Sequence, residues 1–282
     1  MKTILYATDC SKNSVAALKF ANFLSEKFDS TLVVMHVFDV PISLASPVSV
    51  SYMKKEKRLF VEHRAKLKAF CAEHLGESSL QGTNISFVVD EDGSVVDGIL
   101  ENAIRFSVDL IVVGTKGQSP VKEFLLGSTT KSLIKTVSCP IIAVPEVYRV
   151  GKLKTFTYAT DFEQADIFAI RKLVKIAQVF DAKIRILHIT TKKEYAGDQQ
   201  MEWFKEMLQQ KVVYEKIDYD IIFSDTILKE LQWYLQETNV DVLVMLERSK
   251  DNILERYLQQ DLVQKMVKEI NVPLLCYKEE NQ

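Results

Sequence analysis

Hydrophobic positions along the chain follow two periods. Runs such as Leu110-Ile111-Val112-Val113 and Thr31–Phe38 are short and almost continuously apolar, as buried parallel strands are. Between them, apolar residues recur three and four apart. Ala17, Leu18, Ala21, Leu24 and Phe28 mark one face of a helix over 11–28, and Leu59, Phe60, Leu67 and Phe70 mark core positions on a long charged helix over 52–75. The first half therefore predicts strands at 3–7, 31–38, 84–90, 110–113 and 139–144, with helices at 11–28, 52–75, 95–105 and 130–137 between them. The stretch 40–51, with Pro41, Pro47 and four serines, is too long for a simple turn and has the character of a functional or mobile loop. Strands alternating with helices predict an α/β fold whose parallel sheet is doubly wound through right-handed crossovers.

The pattern then repeats. Thr3, Tyr6-Ala7-Thr8-Asp9, Asp29 and His36 recur as Thr155, Tyr158-Ala159-Thr160-Asp161, Asp181 and His188, at an offset of 152. Asp109-Leu110-Ile111-Val112-Val113 recurs as Asp241-Val242-Leu243-Val244-Met245 at an offset of 132, so the second copy is shorter by 152 − 132 = 20 residues. Pro140-Ile141-Ile142 and Pro273-Leu274-Leu275 close the two copies. Two long units make a duplicated domain and not a solenoid. The expected domains are 1–147 and 152–279, each an open five-stranded parallel sheet flanked by helices. The last strand of each, 140–144 and 273–277, is expected at a sheet edge, where unpaired backbone groups invite another strand.

Composition narrows the classes of function. The 282 residues suffice for two domains with cores of their own. A net charge of −2 excludes a general nucleic-acid binder or an anionic-membrane binder. Apolar runs are strand-sized, and the N-terminus enters a strand with no signal-peptide pattern. Four scattered cysteines (Cys10, Cys71, Cys139, Cys276) lack CxxC spacing, so reduced thiols and a cytoplasmic location are expected. The four histidines form no metal-ligand set.

One stretch carries candidate chemistry. After the strand ending at Val113 come Gly114, Gly117 and Gly127-Ser128-Thr129, a G-x2-G-x9-G-[ST] spacing on a strand–loop–helix frame. Glycines admit close backbone approach, and helix N–H groups favour an anion, so the stretch reads as a nucleotide-phosphate cradle with Ser128 or Thr129 as N-cap. Glycines that only make turns are the plain alternative. In a doubly wound sheet the ligand lies beyond the carboxyl ends of the strands, where Thr8-Asp9, His36-Val37 and Gly114 converge. Asp9 suits a ribose hydroxyl or base amine, or else a cap or turn for the helix that follows. Val37 suits a base wall or plain core, and His36 reads as a packed, satisfied histidine. The second copy has Leu246, Ser249, Gln259 and Gln260 where the first has Gly114, Gly117, Gly127 and Ser128, so no nucleotide is expected there. Asp161 survives, with a structural role. No Walker motif, carboxylate pair or Ser-His-Asp set can be placed, which favours binding over catalysis; a slow ATPase or an adenine-nucleotide-dependent transferase is the alternative.

Tyr6-Ala7-Thr8-Asp9-Cys10-Ser11, the strand Leu32-Val33-Val34-Met35 ending in His36-Val37, the helix region 93–103 and the glycine motif together resemble the universal stress protein family. The second half resembles a further member fused in tandem. The resemblance implies an adenine-nucleotide alpha-hydrolase-like fold and an ATP-binding stress-response sensor or regulator, with ATP, with or without magnesium, in the first domain only. It puts the adenine near Asp9 and Val37 and the phosphates at Gly114, Lys116, Gly117, Gly127, Ser128 and Thr129, with Ala7, Thr8 and Val113 completing the site. Many relatives have histidine where Lys116 stands; lysine keeps a donor and adds charge, although a solvated loop lysine is the bland alternative. Single-domain members dimerise through the last strand, which implies intramolecular pairing of the two domains here and leaves room for a homodimer of chains.

Overall fold

A computed structural model of the protein describes residues 1–39, 50–82, 84–116, 127–191, 198–248 and 271–279. They belong to two compact units, Met1–Val150 and Gly151–Gln282. The first contains β1 (Thr3–Ala7), a 3-10 turn (Lys12–Ser14), α1 (Val15–Phe28), β2 (Thr31–Phe38), α2 (Val50–Leu75), α3 (Glu77–Gly82), β3 (Ile85–Glu91), α4 (Val95–Arg105), β4 (Leu110–Gly114), α5 (Ser128–Thr136) and β5 (Ile141–Val144). All pairings are parallel, in the order β3-β2-β1-β4-β5. Leu5 lies in register with Val33 on one side and Ile111 on the other, so the strand order reverses at β1 and opens a crevice beyond its carboxyl end. The apolar stripe of α1 is buried as its period requires: Ala17, Leu18, Phe20 and Ala21 are fully covered.

Most bounds shift by one or two residues, the strand expected at 139–144 being Ile141–Val144, and three differences have a physical reason. The helix expected from residue 11 begins as a 3-10 turn, because Asp9 Oδ1 accepts the Ser11 N–H and Ser14 returns both its N–H and its hydroxyl to the Ser11 carbonyl. The helix expected from Thr130 begins at Ser128, with Gly127 at the cap position and no side-chain cap, so neither Ser128 nor Thr129 is the N-cap. A short helix, α3, follows α2 across Gly76, whose φ of +85° needs a residue without Cβ. Of the loop 40–51, residues 40–49 lie outside the described residues and 50 and 51 belong to α2.

The second unit contains β6 (Thr155–Ala159), α6 (Gln164–Phe180), β7 (Lys183–Thr190), α7 (Asp198–Lys211), β8 (Ile217–Phe223), α8 (Ile227–Glu237), β9 (Val242–Glu247) and β10 (Leu274–Lys278). Its parallel sheet runs β8-β7-β6-β9-β10. The protein is thus an α/β protein of two tandem doubly wound domains. No helix among the described residues is long and apolar enough to cross a membrane.

Small backbone devices recur with the duplication. Asp29 and Asp181 end α1 and α6 in the left-handed region, at φ +49° and +51°, and Cys10 and Phe162 turn the chain beyond β1 and β6 at +58° and +59°. Asp109 accepts the N–H groups of Lys2 and Thr3 at 2.5 and 3.0 Å, and Asp241 accepts those of Lys154 and Thr155 at 2.7 and 2.9 Å. Desolvation pushes the Asp109 carboxyl up, but the two N–H donors and the charges of the N-terminus and Lys2 outweigh it and hold its pKa below the ordinary value. A depressed carboxylate stabilises the fold above its unfolded pKa and stops doing so as pH falls through the folded one. Asp109→Asn is therefore expected to flatten the acid side of the stability profile, below about pH 4. Urea midpoints across that range check it, and an unchanged slope would refute the assignment.

Candidate functional site

The crevice of the first unit is built from backbone ends tied to one another. Thr8 Oγ1 accepts the Cys10 N–H at 2.9 Å and lies 2.9 Å from the Ser14 hydroxyl, and Tyr6 Oη donates to the Ser14 carbonyl at 2.7 Å. These bonds fix the corner on which Asp9 sits, half-buried, with one carboxylate oxygen on the Ser11 N–H. Ala7 closes β1 opposite Met35. Burial pushes the Cys10 thiol up to about 11, so it is no thiolate near neutrality.

On the β4 side, Val113 is buried and Gly114 is the last strand residue. A Cβ at Gly114 would stand 3.4 Å from the Lys116 carbonyl oxygen, 3.5 Å from that of Asn13 and 3.6 Å from Ser14 Cα. These are ordinary van der Waals distances, so the position looks onto the 3-10 turn without the packing itself demanding glycine. The start of α5 is fastened to the same strand end: Thr130 Oγ1 donates to the Gly114 carbonyl at 2.8 Å, and the Gly127 N–H donates to the Thr115 carbonyl at 2.9 Å. Helix geometry leaves the N–H groups of Ser128, Thr129 and Thr130 ahead of the first intrahelical bond, which runs from Lys131 to Gly127 at 3.0 Å. Such a terminus favours an anion. Lys116 is half-buried, while Gly117 lies outside the described residues.

The third strand end adds a wall. Val37 is 8% exposed, and its methyls lie 3.2 and 3.3 Å from where a Cβ on Gly98 of α4 would be. Gly98 thus seats Val37, a role legible in retrospect from a glycine inside a helical pattern. His36 is satisfied, as the sequence reading expected: its Nδ1 donates to the Thr8 carbonyl at 2.8 Å, so neutral Nε2 accepts from His63 Nδ1 at 3.1 Å. Desolvation, with repulsion from Lys66, lowers the His36 pKa. His63, on α2, stacks on Phe38 with ring centroids 4.3 Å apart. Periodicity alone gives no signal for that pairing.

At the matching place in the second unit stands a side chain not foreseen. Arg248, matched to Lys116 by the offset of 132, puts Nη2 at 2.9 and 3.0 Å from the two oxygens of Asp166. Its Nη1 lies 3.0 Å from Asp161 and 3.0 Å from Glu163. Asp166 and Arg248 are 1% and 8% exposed. Asp161, matched to Asp9, thus belongs to an ion cluster. Burial pulls the Arg248 pKa down, but Asp166, Asp161 and Glu163 more than offset it and hold it above its ordinary value. Leu246 extends β9 where the first unit has Gly114, while Ser249, Gln259 and Gln260 lie outside the described residues. Among the described residues no group of acidic, histidine or cysteine side chains is arranged to hold a metal ion.

Fold and rim define an α/β protein whose doubly wound sheets each open a crevice beyond the first and fourth strands. A family model described as the universal stress protein family matches residues 1–145. The chain belongs to that family, whose members act in stress response, and is a tandem two-domain member. A universal stress protein of Methanocaldococcus jannaschii is 31% identical over 143 residues, 51% of this chain and 81% of its own. One from Thermus aquaticus is 28% identical over 144 residues, 51% and 98% respectively. The crystal structure of a universal stress protein from Archaeoglobus fulgidus covers 99% of this chain and 98% of its own, with a TM-score of 0.70 at 16% identity, a likeness of fold.

Proposed function

We propose that the first unit binds an adenine nucleotide, ATP by the residue pattern, and that the protein is a nucleotide-dependent sensor or regulator in stress response whose second unit binds none. The observation that carries this is the contrast at matched positions. In the first unit the N–H groups that open α5 sit one hydrogen bond from the end of β4, with Lys116 and Asp9 on the same rim. In the second, a buried guanidinium and three carboxylates take up the rim. The residues fit the group: Asp9 for ribose or base, Val37 for an apolar wall, Lys116, Gly127, Ser128 and Thr129 for phosphates. Calorimetry with ATP is expected to give one site per chain; two equivalent sites, or none, would overturn the reading. Bound ATP without phosphate release over hours fits a sensor, and rapid release would make it an enzyme.

The two units are further proposed to pair through β5 and β10, each an end strand of its own unit's sheet, whose outer backbone groups invite such pairing. Slow amide exchange along both strands is expected, and exchange at the rate of exposed strands would exclude it.

A further inference from the structure

We infer that Arg248 is a resident occupant of the second unit's crevice: its guanidinium is held there as a ligand would be, and the carboxylates around it admit a planar cation and turn phosphate away. The inference rests on contacts within this unit and holds whether or not the first unit binds ATP.

The acceptor is held by groups other than the arginine. Asp166 sits in the first turn of α6, where Tyr158 Oη donates to Oδ1 at 2.9 Å and Thr160 Oγ1 to Oδ2 at 2.7 Å. The N–H groups of Glu163 and Asp161 reach Oδ2 at 3.1 and 3.3 Å. A carboxylate so buried is an expensive charge unless a cation meets it. Arg248, at the end of β9, supplies that cation from across the crevice. Its planar fork is what allows one side chain to span Asp166 with Nη2 while Nη1 touches Asp161 and Glu163; an ammonium has no such fork.

At the offset of 152, the first unit has Ser11 and Ser14 in place of Glu163 and Asp166. There Ser14 is neutral, its hydroxyl spent on Thr8 and the Ser11 carbonyl. Three carboxylates against one guanidinium leave the second rim with an excess of negative charge, which opposes a polyphosphate. The second crevice is therefore closed by its own chain and not merely worn down.

The test uses the full chain. Both tryptophans, Trp203 and Trp233, belong to the second unit, where they are 42% and 55% exposed, so their emission is read together with circular dichroism to follow its unfolding. Arg248→Ala is expected to lower the fluorescence-detected Tm by roughly 10 °C or more, as breaking one side of a buried ion pair does. Millimolar methylguanidinium should restore much of that loss, whereas methylammonium or sodium chloride at equal ionic strength should not. Arg248→Lys, which keeps the charge without the fork, should fall between. Adding Asp166→Ser to Arg248→Ala removes the stranded carboxylate and should raise the Tm above that of Arg248→Ala. An unchanged Tm in Arg248→Ala, rescue by salt alone, or ATP binding newly gained at this unit by Arg248→Ala would overturn the inference. If Arg248→Ala does not fold, refolding it in millimolar methylguanidinium decides: recovery with methylguanidinium but not with methylammonium supports the inference, and recovery with neither rejects it.

Discussion

Phe20→Ala is expected to cost the first unit about 3–5 kcal/mol, the usual range when a large buried ring is deleted from a core. Phe20 is fully buried on α1 and meets the Tyr148 ring edge-on, with centroids 5.5 Å apart and planes at 84°. Two terms add: transfer of the ring to water on unfolding is lost, and a cavity remains that Ala16, Ala17 and Ala21 on the same helix are too short to fill. The edge-to-face contact contributes roughly 1 kcal/mol beyond area. Against a total stability of about 5–15 kcal/mol, this is enough to populate unfolded first unit under mild conditions. Urea unfolding followed by circular dichroism checks it. A loss below about 1 kcal/mol would mean that α1 does not pack as described.

Asp9→Ala is expected to weaken ATP binding by roughly 10- to 150-fold, from about 1.5–3 kcal/mol for hydrogen bonds to a charged acceptor. The carboxylate stands on a corner that Thr8, Cys10 and Ser14 brace from three sides, so its position does not depend on the ligand. Losing its bond to the Ser11 N–H loosens the entry to the 3-10 turn, a smaller local cost of about 0.5–1.5 kcal/mol. The two effects separate in one comparison. Asp9→Asn keeps an acceptor for Ser11 and should match the wild type in melting while still losing affinity. Titration calorimetry on both variants reads the outcome, and wild-type affinity in Asp9→Ala would remove this residue from the site.

Most of the fold was legible because it is written in periods. Strands β1, β2 and β4 are buried on both faces and appear as apolar runs, and α1 and α4 show their stripes. The duplication was readable from Tyr6-Ala7-Thr8-Asp9 against Tyr158-Ala159-Thr160-Asp161, since identical tetrads at one offset rarely arise by chance. Helix starts were less legible. At Ser11–Ser14 and at Gly127 the outcome depends on which carbonyl accepts which donor, and composition does not encode that. The rim was half legible. Asp9, Val37 and Gly114 follow from strand ends, but Gly98 beneath Val37 and His63 against His36 are meetings of segments far apart in sequence. Arg248 was missed for a different reason. The offset placed it opposite Lys116, but a lone arginine after a strand carries no signal until Asp166, 82 residues earlier, is known to face it.

The left-handed corners beyond β1 and β6 bear on redesign. One carries a thiol and the other a phenyl ring, yet the main chain takes the same unfavourable dihedral at both, +58° and +59°. Divergence has rewritten the upholstery and spared the frame. A new recognition surface on the second half would have to replace Glu163, Asp166 and Arg248 together, because removing one alone strands a charge on a path that is already bent.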